Sequence, residues 1–191
     1  SHIVIDGEDN LKKSFQNNKP VIFISGHFAN YELMSMEITK KNIKLATIYR
    51  PLNNYFLNPL MEHLRKKYVC KNQIKKGVSG VRDAINYIKK DFSVALMIDQ
   101  RVSEGEKINF FGKPALTTTL PAQLALKFDL SIVPVFIERD SKNNFRLKFF
   151  NQIKPSDFSN KVELTIKLNQ ILEKMISNNP YQWIWTHNRW K

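Results

Sequence analysis

Three short runs of this chain are apolar on both alternating faces: Pro20-Val21-Ile22-Phe23-Ile24-Ser25, Ser93-Val94-Ala95-Leu96-Met97-Ile98, and the stretch from Leu130 to Glu138. A strand with one wet face alternates apolar and polar residues, whereas a strand covered on both sides does not. Such strands need helices above and below them. The segments between the runs supply these. Tyr31, Met34 and Ile38 repeat at helical spacing, as do Val81, Ile85 and Ile88, and Leu120, Leu124 and Phe128. Leu164, Leu168, Ile171, Leu172 and Met175 form the stripe of a long C-terminal helix. Strands alternating with helices predict an α/β fold, with a mainly parallel central sheet flanked by helices.

The remaining elements are read around this frame. Asn30 is placed to cap the helix after the first run. Lys44 to Tyr49 reads as a strand that Pro51 ends, and Asn54 to Lys67 as a helix. Ile108 to Phe111 reads as a short strand, with a turn at Gly112-Lys113-Pro114. Phe145 to Phe150 is expected to pair with the strand from Leu130. Thr117-Thr118-Thr119 is expected to cap the next helix. No repeat, low-complexity tract or long linker divides the 191 residues, so residues 1–191 read as a single domain. The last eleven, Tyr181 to Lys191, hold all three tryptophans.

Composition narrows the class. Hydrophobic residues make up 42% of the chain, enough for a sizeable core and against wholesale disorder. Thirty Lys and Arg against 17 Asp and Glu give a net charge of +13, which favours an anionic partner: nucleic acid, lipid headgroups or an acidic protein. No helix-turn-helix, RNA-binding or zinc signature accompanies that charge, which argues against nucleic acid. The single cysteine, Cys70, excludes an internal disulfide and reads as a buried, inert thiol. No stretch approaches the ~20 apolar residues of a membrane span. The opening Ser1-His2 reads as the remnant of a cleaved tag.

Chemistry concentrates in Ser25-Gly26-His27-Phe28-Ala29-Asn30-Tyr31-Glu32. In α/β sheets ligands bind where strands end and helices begin, and His27 lies at such a junction. Glu32 falls in the first turn of the following helix. A carboxylate on one imidazole nitrogen fixes the tautomer and leaves the other free to take a proton. His27 is thus a candidate base and Glu32 its candidate orienter, with no protein nucleophile beside them. Helix-dipole stabilisation alone also accounts for Glu32.

The same segment resembles the His-x-x-x-x-Asp/Glu box of the glycerolipid acyltransferase superfamily. More closely, it is similar to that of the bacterial lipid A biosynthesis acyltransferases. Further segments carry this resemblance in order: Tyr49-Arg50-Pro51, Asn58-Pro59-Leu60, Asp99-Gln100-Arg101, Phe110-Phe111-Gly112, Thr117-Thr118-Thr119, Val133-Pro134-Val135, and Gln182-Trp183-Ile184-Trp185-Thr186-His187-Asn188-Arg189-Trp190-Lys191. The resemblance implies a glycerolipid acyltransferase fold. It implies transfer of an acyl chain from acyl carrier protein, or coenzyme A, to a hydroxyl of a lipid A precursor, with neither metal nor cofactor. His27 would be the general base and Glu32 its partner. Arg50 and Arg101 would bind phosphate or sugar acid groups, or steady an oxyanion. Asn30 stands inside the box where some relatives carry Arg, and joins them as a substrate-binding position. Asp99 would orient Arg101 or cap a turn.

The resemblance also implies work at the cytoplasmic face of the bacterial inner membrane, with an N-terminal membrane anchor lying outside this stretch. The basic surplus then suits acyl carrier protein and an anionic membrane surface. Arg65, Lys66, Lys67, Lys71, Lys75 and Lys76 are the candidate docking residues. A glycerolphosphate, lysophospholipid or phosphatidylinositol mannoside acyltransferase is the alternative within the same chemistry. A basic, non-catalytic module is the alternative outside it. The residues do not set the acyl chain length or the acyl position modified.

Overall fold

The computed structural model describes residues 2–191; Ser1, half of the pair read as a tag remnant, lies outside them. The chain runs β1 (Ile3–Asp6), α1 (Glu8–Ser14), β2 (Ile22–Ser25), α2 (Glu32–Lys40), β3 (Leu45–Tyr49) and α3 (Leu57–Leu64). A π-helical turn, Arg65–Val69, prolongs α3. There follow β4 (Asn72–Lys75), α4 (Val78–Ile88), β5 (Ser93–Met97), β6 (Glu106–Phe110), β7 (Lys113–Thr117), α5 (Leu120–Phe128), β8 (Ile132–Arg139), β9 (Phe145–Phe149) and α6 (Lys161–Asn178). Among the described residues, no helix is long and apolar enough to cross a membrane.

Seven strands form the central sheet in the order β1-β9-β8-β2-β5-β3-β4. Only the β8–β9 pair is antiparallel among its neighbours, so the expected mainly parallel α/β architecture holds. Alternation along the central strands divides the core into two layers. Ile22, Ile24, Val94 and Leu96 pack with α4, α5 and α6 on one face. Phe23, Ala95, Val133 and Val135 pack with Leu11 of α1 and Met34 and Ile38 of α2 on the other. Both faces are dry, which is why these strands read as unbroken apolar runs.

β6 and β7 form a separate hairpin against α6. Its turn is Phe111-Gly112, one residue earlier than expected, with φ of 51° and 72°. Positive φ at both turn residues matches the twist of a two-residue hairpin and leaves Lys113 to open β7. Asn30 does not cap α2: the helix starts at Glu32 with Tyr31 before it, and no side-chain cap bond forms there. In the threonine run, Thr118 Oγ1 accepts from the Leu120 backbone, while Thr117 belongs to β7. Cys70 is buried, which pushes its thiol pKa up, in line with an inert role.

Candidate active site

β2 and β5 are parallel neighbours, and Ser25 stands opposite Met97. Two residues beyond each lie His27 and Asp99. The register therefore carries both to the same level at the carboxyl end of the sheet. His27 Nδ1 lies 2.7 Å from Asp99 Oδ1, and the His27 backbone N–H donates to Asp99 Oδ2 at 2.9 Å. Trp183 Nε1 donates to the same Oδ2 at 2.8 Å. The Asp99 side chain is 2% exposed and that of His27 19%.

Burial alone would raise the Asp99 pKa. Hydrogen bonds from the His27 ring, the His27 charge, the His27 backbone and Trp183 outweigh burial and hold it below the usual carboxylate range. An ionised carboxylate only accepts hydrogen bonds, so the His27 proton sits on Nδ1 and Nε2 is left as a proton acceptor. The ring is also pinned by Tyr31, edge-on with centroids 4.6 Å apart.

This corrects two expectations. Asp99 does not orient Arg101: it is buried behind His27 with both oxygens engaged, and its Oδ2 caps the turn through the His27 backbone N–H. Glu32 is not the group that holds His27. Its Oε1 accepts instead from Arg65 Nε at 2.8 Å, because the start of α2 turns it toward the π-helical turn. Gly26 beside His27 serves a need for space. A Cβ there would stand 2.8 Å from Phe28 Cε2 and 3.1 Å from Leu172 Cδ1.

A cavity of about 540 Å3 opens over His27. Glu32 and Arg65 line it, with Tyr49, Arg50, Lys76, Thr118 and His187. Arg50 and Lys76 follow adjacent strands; burial and then the Arg50 charge lower the Lys76 pKa. Arg65 Nη1 is buried without a hydrogen-bond partner. Asn30, which is exposed, and Arg101 are not among the lining residues. Arg101 Nε is buried without a partner, and its backbone N–H donates to His187 Nε2 at 3.0 Å.

The closing segment forms a strap across the site. Ile184 N–H donates to the His27 carbonyl at 2.9 Å, and Ala29 N–H to the Gln182 carbonyl at 2.8 Å. Arg189 is fully buried; Nη2 donates to Thr117 Oγ1 at 2.6 Å, Nη1 to the Leu116 carbonyl at 2.9 Å, and the guanidinium lies 5.0 Å from the Phe110 ring centroid. Burial brings its pKa down to about 10. Trp183 is buried, Trp190 half-buried and Trp185 exposed, so the tryptophans divide between core and surface. Sequence spacing missed Asp99 as the partner of His27, and Trp183 and Lys76 as site residues. The tryptophan-rich close was the one visible signal for Trp183.

The whole chain, residues 1–191, matches the family described as bacterial lipid A biosynthesis acyltransferase. The chain belongs to this family. It is 24% identical over 193 residues to the lipid A biosynthesis palmitoleoyltransferase of Escherichia coli (strain K12), covering 98% of this chain and 61% of that protein. The lipid A biosynthesis acyltransferase of Shigella flexneri matches with the same identity and coverage. The chain thus spans about three fifths of the length of these curated relatives. Its fold is that of the crystal structure of the 1-acyl-sn-glycerophosphate (LPA) acyltransferase, PlsC, from Thermotoga maritima. The TM-score is 0.58 at 18% identity, over 95% of this chain and 73% of that one.

Proposed function

We propose that this domain transfers a fatty acyl chain from the thioester of acyl carrier protein, or of coenzyme A, to a hydroxyl of a lipid A precursor. The observation that carries the reading is the 2.7 Å contact of His27 Nδ1 with buried Asp99, on a ring that borders the cavity. His27 Nε2 takes the proton of the acceptor hydroxyl as its oxygen attacks the thioester carbonyl. Asp99 stabilises the imidazolium that forms. The tetrahedral intermediate collapses, the C–S bond breaks, and the thiolate leaves with the proton from His27. The products are an ester and a free thiol, with no acyl-enzyme between them.

Arg50 and Lys76 on the cavity wall suit the phosphate groups of such an acceptor. The Glu32–Arg65 pair holds the Arg65 guanidinium on the same wall, as the candidate donor to the oxyanion. The proposed place of work is the cytoplasmic face of the inner membrane, where both substrates meet. The test is mass spectrometry of lipid A from cells expressing either the wild-type protein or His27→Ala. Lipid A lighter by one acyl chain in the variant supports the reading; identical lipid A contradicts it.

A further inference from the structure

Helix α3 and its π-helical extension are inside out. A helix on a water-soluble protein turns its apolar stripe to the core and its polar side to solvent. Here Asn58, Glu62 and Arg65 face inward. Glu62 Oε1 accepts from Tyr49 Oη and from Asn58 Nδ2, both at 2.8 Å. Asn58 Oδ1 accepts from the Leu52 backbone at 2.8 Å, and Arg65 reaches Glu32. No residue of α3 is buried. Most of the apolar residues face out: Tyr55 is 90% exposed, Phe56 94%, Leu57 52% and Leu60 54%, with Leu64 and Tyr68 beyond them, while Met61 and Val69 are half-buried. Leu57, Leu60, Leu64 and Tyr68 recur at helical spacing and so form one stripe.

Charge identifies the occupant of this face. Lys66, Lys67 and Lys71 follow the stripe with exposed side chains, and from Pro51 to Arg82 Glu62 is the sole acidic residue. Glu62 is already bound by Tyr49, Asn58 and Lys75. An apolar stripe beside a block of lysines matches the acyl boundary and headgroups of an anionic leaflet. Pro51 and Leu52, which lead into the helix, line the cavity over His27.

We infer that residues 55–68 form an in-plane anchor that seats the cavity mouth on an anionic lipid surface. Tyr55, Phe56, Leu57, Leu60 and Leu64 enter the acyl boundary, and Lys66, Lys67 and Lys71 meet the headgroups. Arg65, expected to join that basic face, serves the cavity wall instead through Glu32. This use of the surface rests on the acyl-transfer reading above, since a lipid acceptor would enter from the leaflet; partitioning depends only on the residues named.

The experiment is sedimentation of the protein with vesicles of phosphatidylcholine alone, and of phosphatidylcholine and phosphatidylglycerol in equal parts. Turnover of detergent-dispersed acceptor is measured in parallel. The wild-type protein binds the anionic vesicles and is partly released by salt. The doubly substituted Phe56→Ser, Leu60→Ser protein loses about tenfold or more in partitioning while keeping its thermal midpoint and its turnover in detergent. Lys66→Gln with Lys67→Gln weakens binding and flattens its salt dependence. Unchanged partitioning of the Phe56→Ser, Leu60→Ser protein overturns the anchor and leaves the acyl-transfer reading intact. So does a rise in KM for acyl carrier protein, or a dimer dissociating to monomers, with vesicle binding unaltered. Lost partitioning with no turnover by wild type or variant supports the anchor and contradicts the acyl-transfer reading.

Discussion

At the scale of single residues, the carboxylate of Asp99 takes three N–H donors, and each does different work. The His27 ring sets the tautomer, the His27 backbone fixes the loop, and Trp183 is the second donor to Oδ2. Trp183→Phe keeps the ring packing against Phe110 and Trp185 but removes the third donor. It is expected to lower kcat more than it changes KM, and to cost about 1.5–3 kcal/mol in urea unfolding, the usual worth of a hydrogen bond to a charged group. An unchanged kcat would mean that Trp183 only fills space. Asp99 also adds an acid-side signature. Its folded pKa is depressed, so its stabilising effect is present above the unfolded value of about 3.9 and is lost as pH falls through the folded one. Its closeness to His27 was not legible in the sequence. The two are 72 positions apart, and only the β2–β5 register brings them level. Glu32, five positions from His27, was the carboxylate that local spacing offered.

Among the elements, the strap from Trp183 to Lys191 decides how firmly the His27 loop is held. Its anchor is Arg189, which donates to neutral oxygens of β7. Arg189→Ala removes two charge-assisted bonds, leaving the Leu116 carbonyl with the Val102 N–H and the Thr117 hydroxyl with the Ala115 carbonyl, and opens a void, an expected loss of about 2–4 kcal/mol by urea titration. Retained stability would show that the strap is held by its aromatics alone. His187 makes the strap pH-sensitive. Burial lowers its pKa; Arg189, His27 and Lys76 lower it further, and Asp99 opposes them. The folded state therefore binds fewer protons than the unfolded chain just below pH ~6.5, so stability falls as pH drops through that range. His187→Gln should flatten this part of the stability–pH curve, and a curve identical to wild type would contradict it. The elements legible in the sequence were those with strong patterns. β2, β5 and β8 are apolar on both faces, and α2, α4, α5 and α6 carry clear stripes. β1 and β4 sit at the sheet edges with mostly polar or half-exposed residues, such as Asn72, Gln73 and Lys75, so no alternation marked them. The helix over Asn54 to Lys67 was legible, but the outward direction of its apolar residues was not, because periodicity carries no information on which way a stripe points.

For the molecule as a whole, a net charge of +13 gives long-range attraction for any acidic carrier or anionic leaflet. If acyl carrier protein is the donor, kcat/KM for it should fall about tenfold or more from low to high salt, with kcat little changed. Salt-independent kcat/KM would argue against an electrostatically steered carrier. The fold sets the site at the carboxyl ends of adjacent parallel strands, and the strap, the cavity wall and α3 converge there. In the proposed mechanism Asp99, rather than Glu32, makes His27 a base. The direct measurement is turnover of acyl carrier protein thioester and lipid A precursor by Asp99→Asn and Glu32→Gln under identical conditions. Asp99→Asn is expected to lower kcat by about 10²–10⁴-fold, as loss of the correct imidazole tautomer does, while Glu32→Gln loses less and chiefly through the placement of Arg65. Near-normal turnover by Asp99→Asn, with Glu32→Gln inactive, would contradict it.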